Sequence, residues 1–179
     1  MNLNHIFSTK ERIRILNNII YLQEPISPIG VAKELKLSKG LISKFFDILT
    51  KERVLTKSKN KVLTQNNVYT KAIKIMLTLN DFNPNLFKKY RFIKGVGIYG
   101  SCAKGTKIMN SDTDLWIKIE KTKEAELAKL TNELKRMYGE IKPIFLTKEK
   151  INILKEKDPV FYYSLVFGSI IICGEEIEV

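Results

Sequence analysis

Two carboxylates and a glycine–serine pair are the residues of this chain whose types and spacing suggest chemistry. Asp112 and Asp114 stand two apart, directly before Leu115-Trp116-Ile117-Lys118-Ile119, a run with the β-branched and aromatic content of a buried strand. Strand side chains alternate faces, so residues i and i+2 point the same way. Two carboxylates on one face repel unless a cation lies between them. Mg²⁺ (or Mn²⁺) suits such a pair, because it takes hard oxygen ligands and keeps substrate phosphates as further ligands. Ten residues separate Asp112 from Gly100-Ser101, which interrupts a second apolar run, Val96-Gly97-Ile98-Tyr99. A glycine after a strand lets the backbone approach an anion, and a helix start behind it aims N–H groups at that anion. Ser101 adds a hydroxyl, and Lys104 and Lys107 add positive charge. A phosphate cradle beside metal-holding carboxylates is the minimum equipment for transferring a phosphorus-centred group.

The arrangement Gly-Ser, ten residues, Asp-x-Asp resembles the signature of the DNA polymerase β-like nucleotidyltransferase superfamily, in particular its small, minimal members. Ala103-Lys104-Gly105 and Ser111 are similar to that signature's usual surroundings. The likeness covers residues 96–119, and the domain it implies covers roughly 81–179. It implies a small mixed sheet with flanking helices. It also implies Mg²⁺-dependent transfer of NMP from an NTP, ATP first among the candidates, to a hydroxyl. Asp112 and Asp114 would be the catalytic metal ligands, with Gly100, Ser101 and Lys104 binding the nucleotide. The acceptor implied is a protein tyrosine or serine, a nucleic-acid end or a small molecule, with a partner toxin as an attractive protein case.

Composition sets the frame for the rest. The chain has 179 residues, enough for one large domain or two small ones. No apolar run approaches the ~20 residues of a membrane span, and MNLNHIFSTKERIRIL is too polar for a secretory signal. A soluble, cytoplasmic protein with no membrane partner is expected. Two cysteines, Cys102 and Cys173, are too few for a disulfide framework. With His5 as the one histidine, in an N-terminus expected to fray, a His- or Cys-based metal site is excluded. The net charge of +12 is unevenly spread: residues 1–80 hold 14 Lys+Arg against 5 Asp+Glu, residues 81–179 hold 17 against 14. A basic half beside a near-neutral one suggests a polyanion-binding module joined to something else.

The basic half reads as three helices and a hairpin. Ser8-Thr9-Lys10-Glu11 resembles a capping box with Ser8 as cap. Ile13 to Leu22 then gives a helical apolar face, ended by Glu24-Pro25. Ser27-Pro28 opens a second helix with Ile29, Val31, Ala32 and Leu35 inward. Ser38 caps a third, running to about Arg53. Val54–Thr64 forms two strands around a lysine-rich tip. This order is similar to a winged helix-turn-helix domain. The likeness implies that the third helix enters the major groove of double-stranded DNA. Its outward residues would be Lys39, Ser43 and Lys44, with Ser38 and Gly40 near phosphates and Lys57, Lys59 and Lys61 on the wing. Lysines outnumber arginines, which favours phosphate contact over base reading. The same fold also serves for protein docking, but a wing with three lysines in five residues favours nucleic acid.

The expected fold class is therefore α+β. Residues 1–66 form the winged helix, 67–90 a helical connector and 91–179 the nucleotidyltransferase domain. In that last segment a strand at 96–99 leads to the site. A strand at 115–119, a helix from Lys121 to Tyr138, a strand at 141–146 and two further helices follow, then a strand at 170–173. Pro143 within its strand implies an edge position or a bulge. Phe161, Tyr162, Tyr163 and Phe167 read as core.

The chain departs from the family pattern at one point. Active relatives carry a third carboxylate on the strand after the helix, thought of as the general base. Here Ile141–Leu146 holds no acid, and Lys142 and Ile144 occupy the matching positions, with Glu140 and Glu120 the nearest carboxylates. A positioned general base contributes about 10²–10⁴-fold. The first reading is an enzyme of modest activity tethered to DNA. A second is a DNA-binding transcriptional regulator whose nucleotidyltransferase domain senses nucleotide while weakly active or inactive. A third is the antitoxin-like half of a two-component module.

Overall fold

The structure is a computed structural model that describes residues 1–178. The chain divides into two compact units, the first formed by residues 1–74 with 107–109, the second by the remainder.

The first unit begins with α1 (Leu3–Phe7) and α2 (Lys10–Ile19), followed by α3 (Pro28–Leu35) and α4 (Lys39–Lys51). A hairpin of β1 (Leu55–Ser58) and β2 (Lys61–Thr64) closes it, pairing Leu55 with Thr64 and Ser58 with Lys61. Ile15, Leu16 and Ile19 recur on one side of α2 and are fully buried, as are Ile42 and Leu49 of α4. Helical spacing of apolar residues thus builds the core. Ser27 and Ser38 accept from the N–H groups of Gly30 and Leu41, capping α3 and α4.

Several expectations fail here for identifiable reasons. The N-terminus is helical, because Ile6 inserts fully into the core and Glu52 accepts from the Asn2 N–H at 2.7 Å. Four helices therefore precede the hairpin, where three were expected. The cap of α2 is Thr9, which accepts from the Arg12 N–H, and Ser8 instead accepts from the Arg12 guanidinium. α2 stops at Ile19, well before Pro25. Ile29 is 60% exposed: α3 spans only two turns, and Val31 and Ala32 are what it buries.

The chain divides within α5 (Val68–Asp81), and the second unit continues through α6 (Pro84–Lys88), β3 (Ile93–Ile98) and α7 (Gly100–Lys104). Then come β4 (Thr113–Ile119), α8 (Glu124–Tyr138), β5 (Ile141–Leu146), α9 (Lys148–Lys157), α10 (Pro159–Gly168) and β6 (Ile170–Gly174). The sheet order is β5-β4-β3-β6, with β3 antiparallel to both neighbours and β4 parallel to β5. β5 lies at an edge, where Pro143 costs no ladder bond.

Alternation along β4 feeds two cores. Leu115, Ile117 and Ile119 face Leu130 and Leu134 of α8, while Trp116 packs with Tyr162 and Leu165 of α10. The indole N–H donates to the Ser169 hydroxyl at 2.9 Å, so burying Trp116 leaves no orphaned donor. Asp114, Trp116 and Lys118 share the second face by the same alternation. Tyr162 is core as expected, but Tyr163 and Phe167 are not. They are exposed and stack on each other across one helical turn, rings 5.8 Å apart. α10 is apolar all round, so part of it must face outward whichever way it turns. Among the described residues no helix is long and apolar enough to cross a membrane.

Candidate active site

The site is assembled by the antiparallel pairing of β3 with β4. Ile98 pairs with Leu115, and the Tyr99 N–H donates to the Asp114 carbonyl at 3.1 Å. The end of β3 is thereby held beside the start of β4, although the two are separated by a long excursion. Gly100 then turns the chain into α7 with φ of +63°, a left-handed conformation that disfavours side chains. A Cβ at Gly100 would stand 2.6 Å from Asp114 Oδ2. The glycine backbone and the carboxylate are therefore in direct apposition, and only a residue without a side chain leaves the carboxylate its position.

The N-cap residue of α7, Tyr99, makes no side-chain cap bond. Ser101, half-buried, stands in that first turn and its carbonyl accepts from the Thr106 N–H at 2.9 Å. Lys104 is exposed at the other end of α7. Cys102 is buried, and its thiol donates weakly to the Asp112 carbonyl at 3.9 Å, anchoring the residue before β4. The Thr113 N–H donates to the Glu140 carbonyl at 2.9 Å, starting the parallel ladder with β5.

That ladder brings in a residue of opposite charge. Lys142 of β5 is in register with Asp114, and its ammonium forms an ion pair with Asp112 Oδ2. The bonded Asp112 carboxylate raises the Lys142 pKa above the ordinary lysine range, with Asp114 and Glu140 adding in the same direction. Asp112 thus meets a cation that belongs to the protein, and Asp114 adds to the field at that ammonium. Glu120 lies beyond the far end of β4, roughly 20 Å of strand away, and pairs with Lys94 at 2.9 Å. It does not replace the third carboxylate. Glu140 stands at the near end, one residue before β5.

Tyr99 is a neighbour that motif reading passes over. It is half-buried, packs edge-on against Phe161 of α10, and has its phenol pKa raised by burial first and then by Asp114. Its position at the end of an apolar run, one residue before Gly100, was the available signal.

The donor chemistry bears on a divalent ion. Asp112 and Asp114 are hard oxygen donors, Asp112 on the Lys142 ammonium and Asp114 beside a glycine cradle that a Cβ would fill. The pair fits such an ion, provided that Lys142 releases Asp112. Among the described residues no group of three or more His, Cys, Asp or Glu side chains gathers to hold a metal.

In the first unit, Lys39 and Ser43 of α4 line one groove of about 580 Å³ with Lys57, Lys59 and Lys61 of the hairpin. Asp47 enters the same groove and pairs with Lys57 at 2.7 Å. Ser38 spends its hydroxyl on the α4 cap, and Lys44 is exposed outside the groove lining.

A mixed sheet with an aspartate pair at the mouth of one strand, beside a glycine turn, defines the second unit as a small α+β domain built around one anionic site. The family described as "Polymerase beta, Nucleotidyltransferase" matches residues 84–177, more than half of the chain. The chain belongs to that family, and membership carries nucleotidyl transfer as its activity at family level. No curated protein matches the chain.

Proposed function

We propose that the second unit transfers NMP from an NTP, ATP first among the candidates, to a hydroxyl acceptor. One observation carries this reading: the Gly100 backbone abuts the Asp114 carboxylate, two residues after Asp112. N–H groups at the start of α7 and the Ser101 hydroxyl would bind the β- and γ-phosphates. Asp112 and Asp114 would hold Mg²⁺ or Mn²⁺, which when bound offsets the charge that develops on the transferring phosphoryl group. The acceptor oxygen forms a bond to the α-phosphorus, and the bond from that phosphorus to the pyrophosphate oxygen breaks. Because β5 opposes Asp114 with a lysine, the hydroxyl proton passes to water. Loss of a positioned base costs about 10²–10⁴-fold, so turnover is slow.

The first unit supports a DNA-binding role. Its helices and lysine-tipped hairpin are similar to a winged helix-turn-helix, and the groove between α4 and the hairpin carries four lysines against one aspartate. Phosphate contacts by Lys39, Lys57, Lys59 and Lys61 would position the protein on double-stranded DNA without reading its sequence. The opposition of Lys142 to Asp114 also favours a second reading, a DNA-bound regulator that senses nucleotide without turning it over.

ATP labelled at its α-phosphorus separates the two. Incubation with Mg²⁺ and cell lysate should transfer label to an acceptor, and Asp112→Asn or Asp114→Asn should abolish the transfer. Divalent-dependent ATP binding with no transfer identifies the sensor. Label transfer that survives both substitutions refutes the role given to the aspartates.

A further inference from the structure

The charge at the site is unusual for one meant to hold a divalent ion. Lys142 places its ammonium on Asp112 Oδ2 from a strand position in register with Asp114. The lysine side chain is 69% exposed and the Asp112 side chain 33%. The contact is therefore made at a surface, by a flexible stem that can swing away at little packing cost. Nothing in the core requires a lysine at this point, since position 142 faces outward on an edge strand.

We propose that Lys142 is a tethered cation that occupies the place of a divalent ion when no nucleotide is bound. It neutralises Asp112, reduces the field of the pair, and keeps the empty site free of metal. Polyphosphate offers the ammonium a second anionic partner. When a nucleotide enters, Lys142 moves from Asp112 to a phosphate oxygen, and the divalent ion enters with the nucleotide rather than before it. The lysine thereby sets the order in which the site is filled. It positions charge and takes no part in bond making. This inference rests on the reading of Asp112 and Asp114 as the metal-holding pair.

The test measures metal binding directly, with Mn²⁺ alone as the probe and no turnover required. Free Mn²⁺ is followed by electron paramagnetic resonance in titrations of the full chain. Wild type should bind Mn²⁺ weakly without nucleotide. Lys142→Met should bind it about tenfold more tightly, the scale of removing one charge about 5 Å from a dication in a water-like, salt-screened setting. Lys142→Arg should resemble wild type, and the gain should vanish in Lys142→Met combined with Asp112→Asn. Adding ATP should erase most of the difference between wild type and Lys142→Met. A melting curve confirms that each variant is folded. Equal Mn²⁺ affinity of wild type and Lys142→Met overturns the proposal. If Mn²⁺-dependent ATP binding is still lost in Asp114→Asn, only the lysine's role fails. If that binding ignores both aspartates, the metal-pair reading fails with it.

Discussion

Replacing Gly100 by alanine separates the backbone role of this glycine from its role at the carboxylate. Two costs are expected. The first is conformational: φ is +63°, and a left-handed conformation costs an L residue about 1–2 kcal/mol. The second is steric: the new Cβ would lie 2.6 Å from Asp114 Oδ2, where ordinary contacts begin at 3.4 Å, so the carboxylate must retreat by about 0.8 Å. That oxygen ends a rotatable side chain, so it yields at little further cost to the fold. Its displacement, however, occurs at the reacting centre, where a misplacement near 1 Å can cost about 10²-fold. Gly100→Ala should therefore melt about 5–10 °C lower in its own unit, and lose about 100-fold in transfer or in Mn²⁺-dependent ATP binding. Gly139→Ala is the control. Its φ is +72° with nothing within 4 Å of a new Cβ, so it carries backbone strain alone. It should destabilise at least comparably and leave ATP binding intact. Should Gly100→Ala bind Mn²⁺·ATP as wild type does, with only the melting temperature lowered, Asp114 is not at the reacting centre.

Two further outcomes follow from other contacts. The Tyr90 hydroxyl donates to Glu133 Oε2 at 2.6 Å, and burial, followed by this carboxylate, raises the phenol pKa to about 12. An unfolded tyrosine titrates near 10, so the unfolded chain binds fewer protons between these values. The contribution is fully present below pH 10 and is lost as pH rises through about 12; urea midpoints should fall across that window, and Tyr90→Phe should remove this part of the slope. In the first unit, Asp47 places a negative charge in the lysine-lined groove and holds Lys57 at 2.7 Å. Asp47→Asn should tighten binding to a random-sequence duplex severalfold. It should also steepen the salt dependence by about one phosphate contact, as measured by fluorescence anisotropy across 50–200 mM salt.

The elements carrying the site were legible because their signals are local. The β-branched and aromatic content of Leu115–Ile119 marks a strand, Gly100-Ser101 marks a turn, and Asp112 and Asp114 stand at the start of that strand. Pro143 similarly announced an edge, and β5 lies there. Where local signals misled, tertiary packing had overridden them. Leu3–Phe7 forms a helix because Ile6 has a core to enter. Tyr163 and Phe167 face outward because α10 has more apolar faces than the sheet can cover.

By itself, the order of residues determines a basic first half, a glycine turn, and two acids at the mouth of a strand. Only the folded chain decides which charges those acids meet. β4 and β5 lie parallel across an intervening helix, and their register sets Lys142 opposite Asp114 and in contact with Asp112. A strand's own alternation cannot convey a neighbour's register, because register depends on how both strands pack against α8. The carboxylate pair is a property of nearby sequence; its countercharge is a property of the sheet.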